Sequence, residues 1–154
     1  MFTLVHVIIS LLGIITGLVA VGGFMAGARR EGVIAVFLIT TILTNVTGFG
    51  FPSDKLLPSH VVAVLSLALL AVCLVARYVK HLDGAWRRVF VIAAVAALYF
   101  NVFVLVVQLF QKTPALVALA PTQSEPPFGV TQLLVLVVFL WLGRVSVRGF
   151  VAAR

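Results

Sequence analysis

Five long stretches of this sequence contain no charged side chain, and this feature constrains the fold more than any other. A helix needs about 20 apolar residues to cross the hydrocarbon core of a bilayer, which is roughly 30 Å thick. Each stretch therefore has about the length of one transmembrane helix. The uncharged stretches are residues 1–28, 33–53, 56–76, 89–111 and 126–143.

The composition excludes a soluble fold. Hydrophobic residues make up 63% of the 154 residues, charged residues make up 10%, and the mean hydropathy is +1.27. A chain this short has too much surface for its volume to hide so many apolar side chains from water. The stretches also lack the period-two alternation of barrel strands. We therefore expect one all-α membrane domain over residues 1–154, a bundle of five transmembrane helices near 3–26, 33–51, 58–78, 88–111 and 129–146.

The two connections on one side of the predicted bundle, 52–57 and 112–128, contain five of the six prolines of the chain, and the sixth, Pro58, opens the next predicted helix. Proline fixes the backbone φ angle and removes a hydrogen-bond donor, so these connections have restricted shapes. Residues 113–120 are uncharged but too few to cross a bilayer, and we expect them to form an interfacial or re-entrant segment before the last helix. A specific surface for another molecule is therefore expected on this side.

The basic residues predict the orientation of the bundle. All but two of the 11 lysines and arginines fall on one side, and Lys55 and Lys112 fall on the other. Cytoplasmic loops carry such an excess, so the N-terminus is expected outside and the C-terminus in the cytoplasm. Lipid head groups are the expected partners of these cations. Nucleic acid is not an expected partner, because the basic residues are not interleaved with aromatic residues. The residues expected at head groups are Arg29, Arg30, Arg77, Lys80, Arg87 and Arg88.

Small residues predict where helices pack closely. Gly13 and Gly17 lie four residues apart on the first helix, where glycine lets a neighbouring backbone approach. The fourth helix carries a comparable face, formed by Ala93, Ala97, Asn101 and Gln108. We expect both faces to pack within the chain, and a dimer contact at the glycine face is the alternative.

Two histidines form the one candidate site for a cofactor. His6 opens the first helix and His60 opens the third, and both helices run in the same direction, so the imidazoles lie at similar depth. Two imidazoles on different helices could ligate haem b from opposite faces. With a carboxylate they could hold zinc, copper or iron, and beside amides they could hydrogen-bond a quinone carbonyl. The alternative is that both are interfacial residues that bond loop backbone or cap helix starts.

Several further polar residues are expected to share one outward-opening pocket with these histidines. Buried amides are costly in lipid unless they find hydrogen-bond partners, so they should converge and not face acyl chains. The residues predicted to line this pocket with His6 and His60 are Asn45, Asp54, Asn101, Gln108 and Glu125.

The sequence leaves three hypotheses for function. It has no familiar catalytic motif, and no charge near the centre of a span, which argues against an ion-coupled pump. The first hypothesis is a non-catalytic accessory component that binds another membrane or periplasmic protein through its outer face. The second is a redox or ligand-binding module that holds haem, a metal or a quinone between His6 and His60. The third is a small oligomeric transporter or channel.

Four segments stand out in the sequence: TGFGFP (47–52), LLPSH (56–60), LYFNVFVLVVQLF (98–110) and LAPTQSEPPF (119–128). They resemble those of a family of small bacterial inner-membrane proteins with several transmembrane helices. The resemblance implies a location in the bacterial inner membrane, and it brings no activity, cofactor or catalytic residue.

Overall fold

The computed structural model describes residues 1–51 and 58–153, and it folds them into helices. Five of these are long and apolar enough to cross a membrane, which confirms the all-helical class and the five candidate spans predicted from the sequence. A π-helical turn, Val75–Val79, continues the third helix. The helices are α1 (Phe2–Met25), α2 (Glu31–Gly48), α3 (Pro58–Leu74), α4 (Trp86–Lys112), α5 (Pro114–Leu119) and α6 (Pro126–Ala152).

The last helix is longer at both ends than the predicted span of 129–146. The predicted connection 112–128 includes Pro126 and Pro127, but both occupy the first turn of α6, where a missing N–H costs no helical hydrogen bond. At the other end the helix continues past Arg144 and Arg148, whose side chains are exposed. The connection between α4 and α6 is accordingly shorter, 113–125, than the predicted 112–128.

The segment predicted to be interfacial or re-entrant forms the six-residue helix α5, whose residues are all at least partly exposed. After α5 the chain turns back towards the bundle. Ala120 is buried against Val106 and Phe110 of α4, so the connection is anchored to the end of that helix.

The first four helices form a ring. Helix α1 packs against α2, α2 against α3, α3 against α4, and α4 back against α1, while α6 packs on the outside of α4 and α1. We call the end where α1 and α3 begin the histidine end, since it carries His6 and His60. The opposite end, with Arg29, Arg77 and Arg87, is called the arginine end.

The half of the bundle near the arginine end is filled by a close-packed core. Its centre is a cluster of three phenylalanine rings, in which the centroid of Phe24 lies 5.7 Å from that of Phe90 and 5.1 Å from that of Phe150. Side chains from all five long helices surround this cluster, among them Ile34, Phe37, Leu38, Leu70, Cys73, Val91, Leu98 and Phe139.

The two glycines singled out on the first helix lie against α2 and α4. A Cβ atom on Gly17 would lie 2.6 Å from Leu98 Cδ1 and 2.9 Å from Phe37 Cδ2. A Cβ atom on Gly13 would meet polar atoms, at 3.2 Å from Thr40 Oγ1 and 3.6 Å from Asn101 Nδ2. Ala93 and Ala97 of α4 are both buried in the core.

A Cβ atom would meet a still closer neighbour at a glycine that the sequence did not single out. A Cβ atom on Gly149 would lie only 2.3 Å from the carbonyl oxygen of Met25 and 2.6 Å from that of Phe24. Helix α1 ends there with Gly27 at φ +68°, and the Ala28 N–H donates to Gly23 O at 2.8 Å, as in a Schellman motif. Gly149 was missed because it lies beyond the predicted end of the last helix.

Candidate ligand-binding site

A cavity of about 470 Å³ lies between α1, α2, α3 and α4 in the half of the bundle near the histidine end. Small-molecule sites in proteins usually have volumes of roughly 300–1,000 Å³ and mainly apolar walls with a few polar groups. This wall is also mainly apolar, with Ile14, Val62, Phe100, Val104 and Leu105 among its residues. We call the cavity that these residues line the main cavity.

Five of the seven residues predicted to form the polar pocket line the main cavity. These residues come from all four helices of the ring, and they are His6, Asn45, His60, Asn101 and Gln108. They converge because α1 and α3 begin at this end while α2 and α4 end there. Asn101 precedes Gln108 by seven residues, which places it about 10 Å deeper at a rise of about 1.5 Å per residue.

A hydrogen bond to α2 fixes the orientation of the His6 ring. Its Nδ1 lies 2.8 Å from Thr47 Oγ1, and the Thr47 hydroxyl donates to Leu43 O at 2.7 Å. The Thr47 oxygen therefore accepts the proton of His6 Nδ1, which leaves Nε2 of the neutral imidazole as an acceptor. The Phe51 ring packs edge-on against this imidazole, with centroids 5.0 Å apart.

The second imidazole is also held against a phenylalanine that follows α2. His60 stacks on the ring of Phe49, with centroids 5.3 Å apart and an interplanar angle of 20°. The segment immediately after α2 therefore positions both imidazoles, because Phe49 contacts His60 and Phe51 contacts His6.

The amides of the cavity wall differ in how they are satisfied. Asn45 Nδ2 donates to Thr41 O at 2.7 Å and to Ser66 Oγ at 3.1 Å. Asn101 is 8% exposed, and its Nδ2 finds no acceptor in the described part of the chain. Thr44 also lines the cavity, and its buried Oγ1 likewise has no hydrogen-bond partner in the described part of the chain. A buried polar atom without a partner costs about 1–3 kcal/mol, which an acceptor on a ligand would recover.

A protein-ligated metal ion would need more than the two imidazoles. Within residues 1–51 and 58–153, no three His, Cys, Asp or Glu side chains lie close enough together to hold one. Asp54, the nearest acid to His60 in the sequence, lies outside the described residues. Two imidazoles suffice to hold haem iron, and His6 and His60 both line the main cavity.

Glu125 was predicted to join this pocket and does not line it. Its carboxylate accepts hydrogen bonds from Thr122 Oγ1 at 2.8 Å, from Thr122 N at 3.2 Å and from Ser124 N at 3.1 Å. Desolvation raises the pKa of the Glu125 carboxyl, but the hydrogen bonds from the Thr122 hydroxyl and from backbone N–H groups outweigh it and lower this pKa. The local turn holds Glu125 because Gln123 adopts φ 60° and bends the chain back.

The cations expected at lipid head groups have different surroundings. Arg77 forms an ion pair with Glu31, and its side chain is only 10% exposed, so most of it is unavailable to lipid. Arg87 Nη1 donates to Ala153 O at 2.7 Å, and Lys80 Nζ lies 5.6 Å from the centroid of the Trp86 ring. The side chains of Arg29, Arg30 and Arg88 are exposed.

Lys112 and Thr44 are among the polar residues of the main cavity that sequence reasoning missed. Lys112 lines the cavity beside His6, and it follows Gln108 by four residues on the same face of α4. Extending the stripe of Asn101 and Gln108 by one turn would have found it. Thr44 directly precedes Asn45, and no periodic signal distinguishes it from the other threonines of α2.

Comparison with known proteins identifies no relative, because no family model, curated protein or solved structure matches this chain. Its function is therefore inferred from the geometry of the main cavity.

Proposed function

We propose that the protein binds a lipid-soluble small molecule with carbonyl or hydroxyl oxygens in the main cavity, and that the favoured ligand class is a quinone. One observation carries this proposal. Imidazoles and amides from four helices line one mainly apolar cavity of about 470 Å³, which matches the usual composition of a small-molecule site.

The polar groups of the wall match both redox states of a quinone. A carbonyl oxygen accepts hydrogen bonds, and Asn101 Nδ2 and Thr44 Oγ1 are buried donors without an acceptor in the described part of the chain. A quinol hydroxyl donates, and His6 Nε2 is an acceptor because Nδ1 is bonded to Thr47. The apolar side chains of Phe100 and Val104 provide contacts for a ring or an isoprenoid tail.

The protein is further proposed to lie in the bacterial inner membrane, with the histidine end outward. Among the described basic residues, Lys112 is at the histidine end, whereas the arginine end carries Arg29, Arg30, Arg77, Arg87 and Arg88. Such an asymmetry favours a cytoplasmic arginine end. The resemblance of segments 47–52 and 119–128 supports the bacterial inner membrane. The main cavity then lies in the outer half of the bilayer.

The test is a ligand panel on protein purified in mild detergent. A short-chain benzoquinone should raise the melting temperature of the wild type and of Gln111→Leu, an exposed position on the same helix. It should have little effect on Gln108→Leu and Asn101→Leu, which remove amides of the cavity wall.

Absorption spectroscopy, metal analysis and mass spectrometry of an organic extract complete this test. A Soret band or a stoichiometric metal would replace the quinone with haem or a metal ion. If Gln108→Leu responds to the benzoquinone as the wild type does, the main cavity is not the binding site.

The accessory-protein hypothesis remains as a second candidate, favoured by the fixed shape of connection 113–125. Gln123 Nε2 donates to Val107 O at 3.1 Å, and Ala120 is buried against α4. A photoreactive side chain at the exposed Leu119 of α5 should crosslink to one defined protein in cells, whereas one at the exposed Leu140 of α6 should not. Equal crosslinking from both positions would count against this candidate.

A further inference from the structure

A second cavity, of about 450 Å³, lies at the arginine end, where the connection between α1 and α2, residues 81–84, the first turn of α4 and the end of α6 meet. Arg29, His81, Asp83 and Arg87 line it together with apolar Leu82 and Val151. We infer that this cavity binds a phosphate group, carried by a lipid head group that also has a hydrogen-bond donor. We call it the phosphate cavity. It is independent of the ligand proposed for the main cavity.

Contacts with the end of α6 position the two arginines of this cavity. Arg87 Nη1 donates to Ala153 O at 2.7 Å, and Arg29 Cζ lies 5.7 Å from the centroid of the Phe150 ring. A guanidinium has five N–H donors, so Arg87 retains others for a ligand. Arginine matches the oxygens of a phosphate through paired hydrogen bonds, which is the reason for assigning this anion.

The connection before α4 has an unusual backbone that brings His81 and Asp83 into the wall. His81 and Leu82 are consecutive non-glycine residues with positive φ angles, 48° and 58°. Leu82 is 6% exposed, packs into the core, and donates its N–H to Ala76 O at 2.9 Å. The buried Leu82 side chain thus holds a conformation that is otherwise unfavourable, and the neighbouring residues line the cavity.

The charges of the wall favour a phosphate group with a donor over a simple anion. Arg29 and Arg87 attract the phosphate oxygens, while the Asp83 carboxylate in the same wall repels an anion beside it. Asp83 can instead accept a hydrogen bond from a hydroxyl or an ammonium group. Phosphatidylglycerol and phosphatidylethanolamine have such donors next to the phosphate, and phosphatidylcholine has none.

The location at the helix ends is also that of a membrane interface. The phosphate cavity lies beside the connection that follows α1, the first turn of α4 and the last turn of α6. Basic pockets between helices on the cytoplasmic side are known to bind lipid head groups. Leu82 and Val151 supply apolar contacts for the glycerol backbone of the lipid.

The test compares binding of lipids and of inorganic phosphate to the full chain in mild detergent, by native mass spectrometry and melting temperature. Phosphatidylglycerol and phosphatidylethanolamine should bind more tightly than phosphatidylcholine. Arg29→Gln and Arg87→Gln should each weaken binding at least about tenfold, the usual effect of removing a hydrogen-bond partner that carries a charge. Arg30→Gln and Arg88→Gln are matched controls at adjacent positions outside the cavity wall, and they should bind as the wild type does.

Arg87 also bonds α6, so Arg29→Gln, at an exposed position, decides the outcome if Arg87→Gln unfolds. Equal losses in Arg29→Gln and Arg30→Gln would show a diffuse charge effect and overturn the proposal, as would undiminished binding to Arg29→Gln. Equal binding of phosphatidylcholine would overturn the role of Asp83. Inorganic phosphate that raises the melting temperature through Arg29, without any lipid effect, would assign the cavity to a free phosphate.

Discussion

His6 Nδ1 and Thr47 Oγ1 lie 2.8 Å apart and join the first turns of α1 to the last turn of α2. This hydrogen bond fixes which imidazole nitrogen is protonated, and it therefore sets the chemistry that His6 presents to the main cavity. The contact depends on a residue that the sequence did not single out, although Thr47 belongs to the TGFGFP segment.

We expect Thr47→Val to lower the free energy of unfolding by about 1 kcal/mol, the usual net value of one hydrogen bond. It should also weaken binding of a hydroxyl-bearing ligand, since His6 would no longer be held in one tautomer. The measurement is thermal unfolding in detergent with and without ligand. Thr16→Val is the matched control, because the Thr16 hydroxyl donates to Leu12 O and Gly13 O of its own helix, and an equal effect of both variants would contradict the proposed role of Thr47.

Gly17→Leu should lower the free energy of unfolding by about 1–3 kcal/mol through overpacking. Its side chain would enter space occupied by Phe37 and Leu98, because even a Cβ atom would lie 2.6 Å from Leu98. Gly22→Leu is the control on the same helix, where a Cβ atom meets nothing within 4 Å. Equal melting temperatures for the two variants would mean that α1 does not pack against α2 and α4 through Gly17.

Gly149→Ala should be more destabilising than Gly17→Ala, although alanine is intrinsically the better helix former. The new methyl group would lie 2.3 Å from Met25 O, and backbone cannot move aside as the end of a leucine side chain can. Gly143→Ala on the same helix should be neutral or stabilising, since its Cβ meets Val95 at an ordinary 3.7 Å. The measurement is again the melting temperature, and a stable Gly149→Ala would exclude the close approach of α6 to the end of α1.

The connection before α6 should loosen at acid pH. The pKa of Glu125 is lower in the folded chain than its ordinary value of 4.5, so its carboxylate stabilises the turn fully above that value. This stabilisation is lost as the pH falls through the lowered folded pKa. Hydrogen exchange at the Thr122 and Ser124 amides should therefore show greater opening at low pH in the wild type. Glu125→Gln should show little such dependence on pH. If the variant opens at low pH as much as the wild type does, the assignment of this effect to Glu125 is wrong.

The orientation proposed for the bundle predicts the behaviour of reporter fusions. A reporter active only in the cytoplasm should give signal when fused after Arg154 and no signal when inserted within residues 121–127. The reason is the excess of basic residues at the arginine end. The opposite pattern would reverse the orientation, and the main cavity would then lie in the inner half of the bilayer.

The spans and much of the cavity wall were predictable, because each follows from the free-energy cost of placing charged or unpaired polar groups in lipid. Charge is excluded from hydrocarbon, so uncharged length predicts the five long helices. Amides need partners there, so Asn45, Asn101 and Gln108 should converge, and helix direction puts them at the end where His6 lies.

Features set by tertiary contact were not predictable in the same way. Arg77 was interpreted as a lipid contact because charge counts treat residues singly, whereas its pairing with Glu31 depends on α2 and α3 lying side by side. Gly149 matters only because α1 happens to end against it. The position of Glu125 outside the main cavity follows from the φ angle of Gln123, which composition does not determine.

The division of the bundle into a close-packed half and a hollow half means that the chain is unequally resistant to opening. Around Phe24, Phe90 and Phe150 the helices share a dense aromatic core, so they separate only when the whole fold does. Around the main cavity fewer apolar contacts oppose separation, and parts of a protein with few such contacts open at low free-energy cost without global unfolding. Neighbouring helices of the ring should therefore separate more easily around the main cavity than around the phenylalanine cluster, and such an opening would give the proposed ligand a route into the cavity from the bilayer.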